Sequence, residues 1–194
     1  MAIRLDPNNA STYLNQGDVL NGLKRYKEAL VAYKQAIRLD SASALAYNNQ
    51  GFALSNLKRN KEALAAYKQA IRLDPALVIA HYNEGVALER LKRDEEALAA
   101  YDRAIGLDPH LAFAYQGKGN ALGELAHYEE ALAAYDQAIH LDPSYAVAYY
   151  SKGNLLLLLE KLKEAQQAYE EALRLGYKGN LPLMLRVRSY LHRQ

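Results

Sequence analysis

Between Ala63 and Leu73 the apolar residues Ala63, Leu64, Tyr67, Ala70 and Ile71 fall three and four places apart, while Lys61, Lys68 and Arg72 take positions between them. That spacing gathers the apolar set on one side of an α-helix. Asp74-Pro75 ends the pattern, because proline has no N–H and disfavours helical geometry in the residue before it. A helix this short is marginal in water and requires a packing partner. The preceding segment Ala44–Leu57 is predicted to be that partner. Near copies of the stretch return at Ala97–Pro109 and Ala131–Pro143, with looser ones at Ala29–Ser41 and Ala165–Tyr177, always offset by 34 residues. A fixed period of this length signals a stacked array of repeats, each touching its neighbours.

The first helix of each predicted pair carries a glycine at the same period: Gly17, Gly51, Gly85, Gly119 and Gly153. Glycine inside a helix costs about 1 kcal/mol against alanine, so the recurrence requires a cause. Close approach of the second helix supplies one, with Ala29, Ala63, Ala97, Ala131 and Ala165 as the matching small residues. Tyr47-x2-Gln50-Gly51-x2-Leu54, then Ala63-x3-Tyr67-x2-Ala70, then Pro75, resembles the tetratricopeptide repeat. The resemblance implies an all-α fold, a right-handed α-α superhelix of antiparallel helix pairs. Five repeats are framed as Ala10–Ser43, Ala44–Leu77, Val78–Leu111, Ala112–Tyr145 and Ala146–Gly179, with residues 1–9 as the tail of a preceding repeat and 180–194 as a C-terminal capping helix. The opening aromatic is Tyr13, Tyr47, Tyr115 and Tyr149, but His81 in the third repeat, where it is expected to fill core. The closing proline is Ser41 in the first repeat and Tyr177 in the fifth, which is expected to weaken those turns.

Met1-Ala2-Ile3-Arg4-Leu5-Asp6-Pro7 matches the end of a repeat, which leads to the expectation that the chain begins inside a longer array. The first face of helix Ala10–Leu23 is then left without its neighbour. In the fifth repeat Leu155–Leu159 is apolar all round, which argues for burial on both sides. The amphipathic segment Leu183–Leu191 is expected to cover it.

Composition changes the picture in three ways. Tyrosine numbers 16 against 2 phenylalanines and no tryptophan, which suits a thin wall whose rings pack while their hydroxyls reach water. With no cysteine, disulfides and thiolate chemistry are excluded. Charge is polarised: residues 1–77 hold eleven Lys/Arg against six Asp/Glu, and residues 78–179 ten against sixteen. Steering between copies, or an oriented groove, is one reading of that asymmetry; drift on solvated faces is the other. No apolar run is long enough to span a membrane and no basic-then-apolar leader opens the chain, so a cytoplasmic location is expected.

In the family the first helices line a concave surface. The places left over after packing hold Ser11, Leu14, Asn15, Asp18 and Asn21 in the first repeat, and Leu45, Asn48, Asn49, Phe52, Ser55 and Asn56 in the second. Asn15, Asn49 and Asn83 stand 34 apart as a ladder, and Asn120 and Asn154 form a shorter one. Asparagine is a poor interior helix residue, but its carboxamide both donates and accepts and so suits the peptide groups of an extended chain. The resemblance to superhelical arrays with asparagine ladders implies peptide binding there. The candidate ligand-contacting residues are Asn15, Asn48, Asn49, Phe52, Tyr82, Asn83, Phe113, Gln116, Asn120, Tyr150 and Asn154. The alternative is that duplication copied the asparagines, and Gly117 and Ser151 interrupt the first ladder.

The family's basic clamp for acidic C-termini requires Lys at the places held by Leu14, Asn48 or Tyr82 and by Ile79, Phe113 or Val147. None is basic, so that clamp is absent. His81, His110, His127, His140 and His192 lack metal-ligand spacing, and the Glu pairs Glu95-Glu96 and Glu129-Glu130 are helix-start carboxylates. No catalytic residue, metal or cofactor is expected. The predicted groove offers almost no Lys or Arg, so nucleic acid is not an expected partner. Two functions follow: a non-catalytic scaffold binding a protein or peptide partner in its groove, or a structural array self-assembling head to tail through the N-terminal end.

Overall fold

The 34-residue pattern becomes alternating helices whose first residues keep the same interval. The computed structural model describes residues 9–179. Among them are α1 (Ala10–Gly22), α2 (Tyr26–Leu39), α3 (Ala44–Asn56), α4 (Asn60–Leu73), α5 (Val78–Arg90), α6 (Asp94–Leu107), α7 (Ala112–Glu124), α8 (Tyr128–Leu141), α9 (Ala146–Leu158) and α10 (Leu162–Arg174). The fold is all-α, of the α-α superhelix class, and the described residues contain no strand. Two compact units divide the chain at Leu107/Asp108. In unit 1, α1, α3 and α5 form one layer and touch their neighbours within it. Each also packs on its partner α2, α4 or α6, and α2 and α4 pack on the next pair. In unit 2, α7 and α9 form the first layer over α8 and α10. The odd-numbered helices are called A helices below and the even-numbered ones B helices.

Each A helix ends with a residue in the left-handed region: Lys24, Lys58, Lys92, Ala126 and Glu160, with φ of 57° to 62°. The following N–H then closes back on the helix, as Arg59 does on the Leu54 carbonyl at 3.0 Å and His127 on Leu122 at 2.9 Å. The first four B helices stop at an aspartate, and α10 at Leu175-Gly176. Asp40, Asp74 and Asp142 share one extended geometry. Each accepts, through Oδ1, the N–H two residues on, at 2.9–3.0 Å. This local turn takes the same geometry with Ser41 or Pro75 following it.

The recurrent glycines are explained by tyrosine rather than alanine. A Cβ built on Gly51, Gly85 or Gly119 would lie 2.6 Å from Cε1 of Tyr67, Tyr101 or Tyr135, and one on Gly153 would lie 2.7 Å from Cδ1 of Tyr169. Tyr33 fills the same seat over Gly17. Ala29, Ala63, Ala97, Ala131 and Ala165 are fully buried, but the nearest atoms over each glycine belong to the ring. His81, standing where the other repeats have tyrosine, is buried and donates from Nε2 to the Pro75 carbonyl at 2.9 Å. In α9, Leu155 and Leu156 are buried but Leu158 is 64% exposed, so the leucine run is not buried on both sides as its pattern implied. The expected capping segment Leu183–Leu191 and the tail Met1–Pro7 lie outside the described residues.

Two glycine exchanges should move stability in opposite directions. Gly85→Ala forces a methyl onto the Tyr101 ring and is expected to cost about 2 kcal/mol, as overpacking does. Ala126→Gly relieves a left-handed alanine and is expected to gain about 0.5–1 kcal/mol. Urea unfolding of the intact chain measures both.

Candidate functional site

A tyrosine ring laid across a glycine sends its hydroxyl through the A-helix layer toward that layer's open face, and the hydroxyl requires a partner. Two alternative places supply it. In the first, fourth and fifth repeats the partner stands at the ninth place: Tyr33 donates to Asp18 Oδ1 at 2.9 Å, Tyr135 to Asn120 Oδ1 at 3.0 Å and Tyr169 to Asn154 Oδ1 at 2.8 Å. In the second and third repeats the ninth place is apolar, Phe52 and Val86. There the partner moves one turn along, with Tyr67 paired to Ser55 and Tyr101 donating to Glu89. Burial raises these phenols from their ordinary value. Tyr169 is pushed up to about 12, first by burial and then by neighbouring Tyr150. Tyr33, Tyr67 and Tyr101 rise further, again chiefly by burial; the carboxylates Asp18 and Glu89 add to the rise at Tyr33 and Tyr101, while Arg90 opposes it at Tyr67.

From Asp18 a string of carboxamides runs across the open face of unit 1. A carboxylate only accepts, so Asn49 must turn its Nδ2 toward it, and does so at 2.8 Å. The Asn49 oxygen then accepts from Asn48 Nδ2 at 2.9 Å, and the Asn48 oxygen from Asn83 Nδ2 at 3.0 Å. One acceptor-only group thus orients three amides, and every N–H in the string points back toward it. Two acceptors are left without a further bond among the described residues, Asp18 Oδ2 and Asn83 Oδ1.

The candidate residues divide by use. Asn48 is buried and fully engaged inside the string. Asn49 and Asn83 tie each A helix to the one before it. Asn15, the first member of the 34-residue ladder, stands exposed at the end of the layer and makes no side-chain hydrogen bond among the described residues. Phe52 is 43% exposed beside Leu45 at 51% and Ile79 at 38%. Tyr82 packs on Tyr101 with ring centroids 5.8 Å apart. In unit 2, Gln116 is buried and donates to Asn120 at 3.0 Å and to Ser151 Oγ at 3.1 Å. There Ser151 does the tying performed by asparagine in unit 1. Phe113 is half-buried, and Tyr150 is stacked on Tyr177 at 4.3 Å and tilted on Tyr169 at 5.9 Å. Asp18 was legible as an inner position but carried no assigned role. The signal that finds it is its place opposite Tyr33, equivalent to Asn120 and Asn154. Among the described residues no group of His, Asp and Glu gathers as metal ligands do, and no helix is long and apolar enough to cross a membrane.

The phenols give a pH signature. A folded-state pKa raised above the unfolded value near 10 means that stability is intact below pH 10 and is lost as pH rises through the folded value, about 12 for Tyr169. Absorbance at 295 nm should therefore show Tyr33, Tyr67, Tyr101 and Tyr169 ionising only together with loss of helical circular dichroism, above about pH 11.

Two comparisons bear on kinship. A tetratricopeptide repeat family model matches residues 48–112 and 117–179, and a second, TPR repeat, matches residues 17–58. Among solved structures the chain is similar to YrrB, described as a TPR protein with an unusual peptide-binding site, at 25% identity and TM-score 0.72 over 95% of this chain and 94% of that one. It is similar to MamA at 25% identity and TM-score 0.72, over 84% of this chain and 95% of that one. A thermophilic TPR protein of Thermus thermophilus, TTC0263, shares the fold at 23% identity and TM-score 0.77, over 94% and 98% of the two chains. A sequence comparison with curated proteins returns no match. The family models cover well over half of the chain, in register with the helix pairs and the glycine–tyrosine seats, and the chain belongs to the tetratricopeptide repeat family.

Proposed function

We propose that this chain is a non-catalytic scaffold that binds an extended peptide segment on the open A-helix face of unit 1. Tetratricopeptide repeats serve in general as protein-interaction modules, and YrrB is described as having a peptide-binding site. The observation that carries the reading is that Leu45, Phe52 and Ile79 present large apolar side chains to solvent on the A helices that carry Asn83, whose Oδ1 accepts no hydrogen bond among the described residues. Apolar shelves take side chains, and a carboxamide oxygen takes a backbone N–H, worth about 1 kcal/mol net. Asn48, Asn49 and Asn83 shape this face and hold its helices in register. They contribute to binding through the one amide oxygen the string leaves without a donor.

A second reading, head-to-tail stacking of copies, rests on the outer end of α1. Val19 is 64% exposed there and Leu23 61%, whereas Ala53 and Ala87 at the seats equivalent to Val19 are fully buried beneath a neighbouring B helix. Thr12, Asn15, Gln16, Leu20 and Arg25 complete a groove of ≈ 440 Å³.

The groove reading predicts that Leu45→Ala with Phe52→Ala weakens peptides selected from a display library on the intact chain by at least tenfold in fluorescence anisotropy, since each buried side chain contributes about 1.5–3 kcal/mol. The melting temperature should hardly change, because both residues are exposed. Unaltered affinity would sink this reading. Stacking predicts a sedimentation coefficient that rises with concentration and stays flat in Val19→Asp; a wild-type chain monomeric at every concentration removes it.

A further inference from the structure

The charges of unit 1 are sorted by layer. Its described lysines and arginines stand on the B helices and the turns, with one exception on the A helices, Arg90. The A helices carry three acids, Asp18, Glu84 and Glu89. Glu84 is buried, Glu89 accepts from Tyr101, and Arg90 donates to the Ser55 hydroxyl at 2.5 Å. That leaves Asp18 as the exposed acid of the three on these helices. Its Oδ1 takes both Tyr33 and Asn49, its Oδ2 takes nothing, and the side chain forms no ion pair among the described residues. The aligned amides do not neutralise it. Only the Asn49 N–H reaches the carboxylate, on Oδ1, while the Asn48 and Asn83 N–H groups each go to the oxygen of the amide before them.

Asp18, Phe52 and Val86 occupy the same ninth place on successive A helices. They therefore form a row whose members are one helix apart, about 8–10 Å. A chain in polyproline II conformation repeats its facing side every three residues, at about 3.1 Å each, or about 9 Å. The row thus matches every third side chain of such a segment. Its chemistry runs from anionic at Asp18 to apolar at Phe52 and Val86, flanked on one side by Leu45 and Ile79.

Resting on the peptide-binding reading above, we propose that the open face of unit 1 selects an extended protein segment with a Lys or Arg on Asp18 and bulky apolar residues three and six places along on Phe52 and Val86. The cation meets the free carboxylate oxygen while its aliphatic stem lies on the apolar row. An Asp or Glu in that position meets repulsion instead.

Asp18→Asn isolates the charge. Asn at this place already accepts a tyrosine hydroxyl in the fourth and fifth repeats, so Tyr33 keeps its partner. Random nine-residue peptides displayed against the intact chain should be enriched in Lys or Arg three residues from Leu, Ile, Met or Phe. Against Asp18→Asn the apolar enrichment should persist and the basic enrichment vanish. The affinity of a selected basic peptide should fall about threefold to fivefold, as an exposed ion pair allows, and its salt dependence should flatten. Apolar enrichment with no basic preference, or a basic preference undiminished in Asp18→Asn, overturns this inference and leaves peptide binding standing. Absence of any enrichment, or enrichment indifferent to Leu45→Ala with Phe52→Ala, overturns both.

Discussion

A tyrosine ring seated on a helical glycine is the contact on which the array depends. Burying a ring removes on the order of 150–250 Å² from water, worth several kcal/mol at about 25 cal/mol per Å², against about 1 kcal/mol for placing glycine in the helix. The exchange is favourable only if both halves are present. Four of the five rings, Tyr33, Tyr67, Tyr101 and Tyr169, are buried to 2% exposure or less. Because the ring packs directly against the glycine of the A helix, it fixes the distance between the helices of a pair, and the fully buried B-helix alanines such as Ala63 and Ala70 fit around that distance.

The hydroxyl at the end of the ring carries this constraint from the core to the surface. It emerges among the side chains of the open face and demands an acceptor, since an unpaired buried polar atom costs about 1–3 kcal/mol. Asp18, Asn120 and Asn154 meet the demand at one place and Glu89 one turn along, where Ser55 is the neighbour of the Tyr67 hydroxyl. The choice has a consequence for recognition. Where the acceptor sits at the twelfth place, the ninth is released for Phe52 or Val86, and the face gains an apolar seat. Core packing and ligand surface are therefore written in the same residues.

The period, the helix pairs and the glycine positions were legible because each rests on local spacing. What lay opposite the glycines was not, since helical periodicity places Ala63 and Tyr67 on one face without ranking which of them reaches the backbone. Ser41 in place of proline suggested a weak turn because proline is the more visible stop signal; the Asp40 carboxylate accepts the N–H two residues on in that turn. The leucine run of α9 suggested burial all round, yet Leu158 at its end stays largely exposed. The asparagines were legible as a ladder on one face, but not as a directed string, because their partners come from different repeats: Asn49 reaches Asp18 and Asn83 reaches Asn48. Spacing alone does not reveal which amide donates to which.

Direction in that string originates at a single atom type. An ionised carboxylate has no proton to give, so placing Asp at the ninth position of the first repeat orders every amide after it. Where Asn holds the same position, in unit 2, the group at the end of the network is neutral. There Gln116 spreads its N–H groups between Asn120 and Ser151 rather than passing them along a line. Two units of one repeat family, with the same helix-pair plan in each repeat, thus differ in the charge of the tyrosine's partner at the ninth place, beneath a shared geometry of ring and glycine. Diversifying the ninth position among Asp, Asn and an apolar residue leaves the tyrosine seat intact provided the twelfth compensates. A duplicated scaffold can thereby acquire distinct specificities from one repeat to the next without disturbing the packing that holds it together.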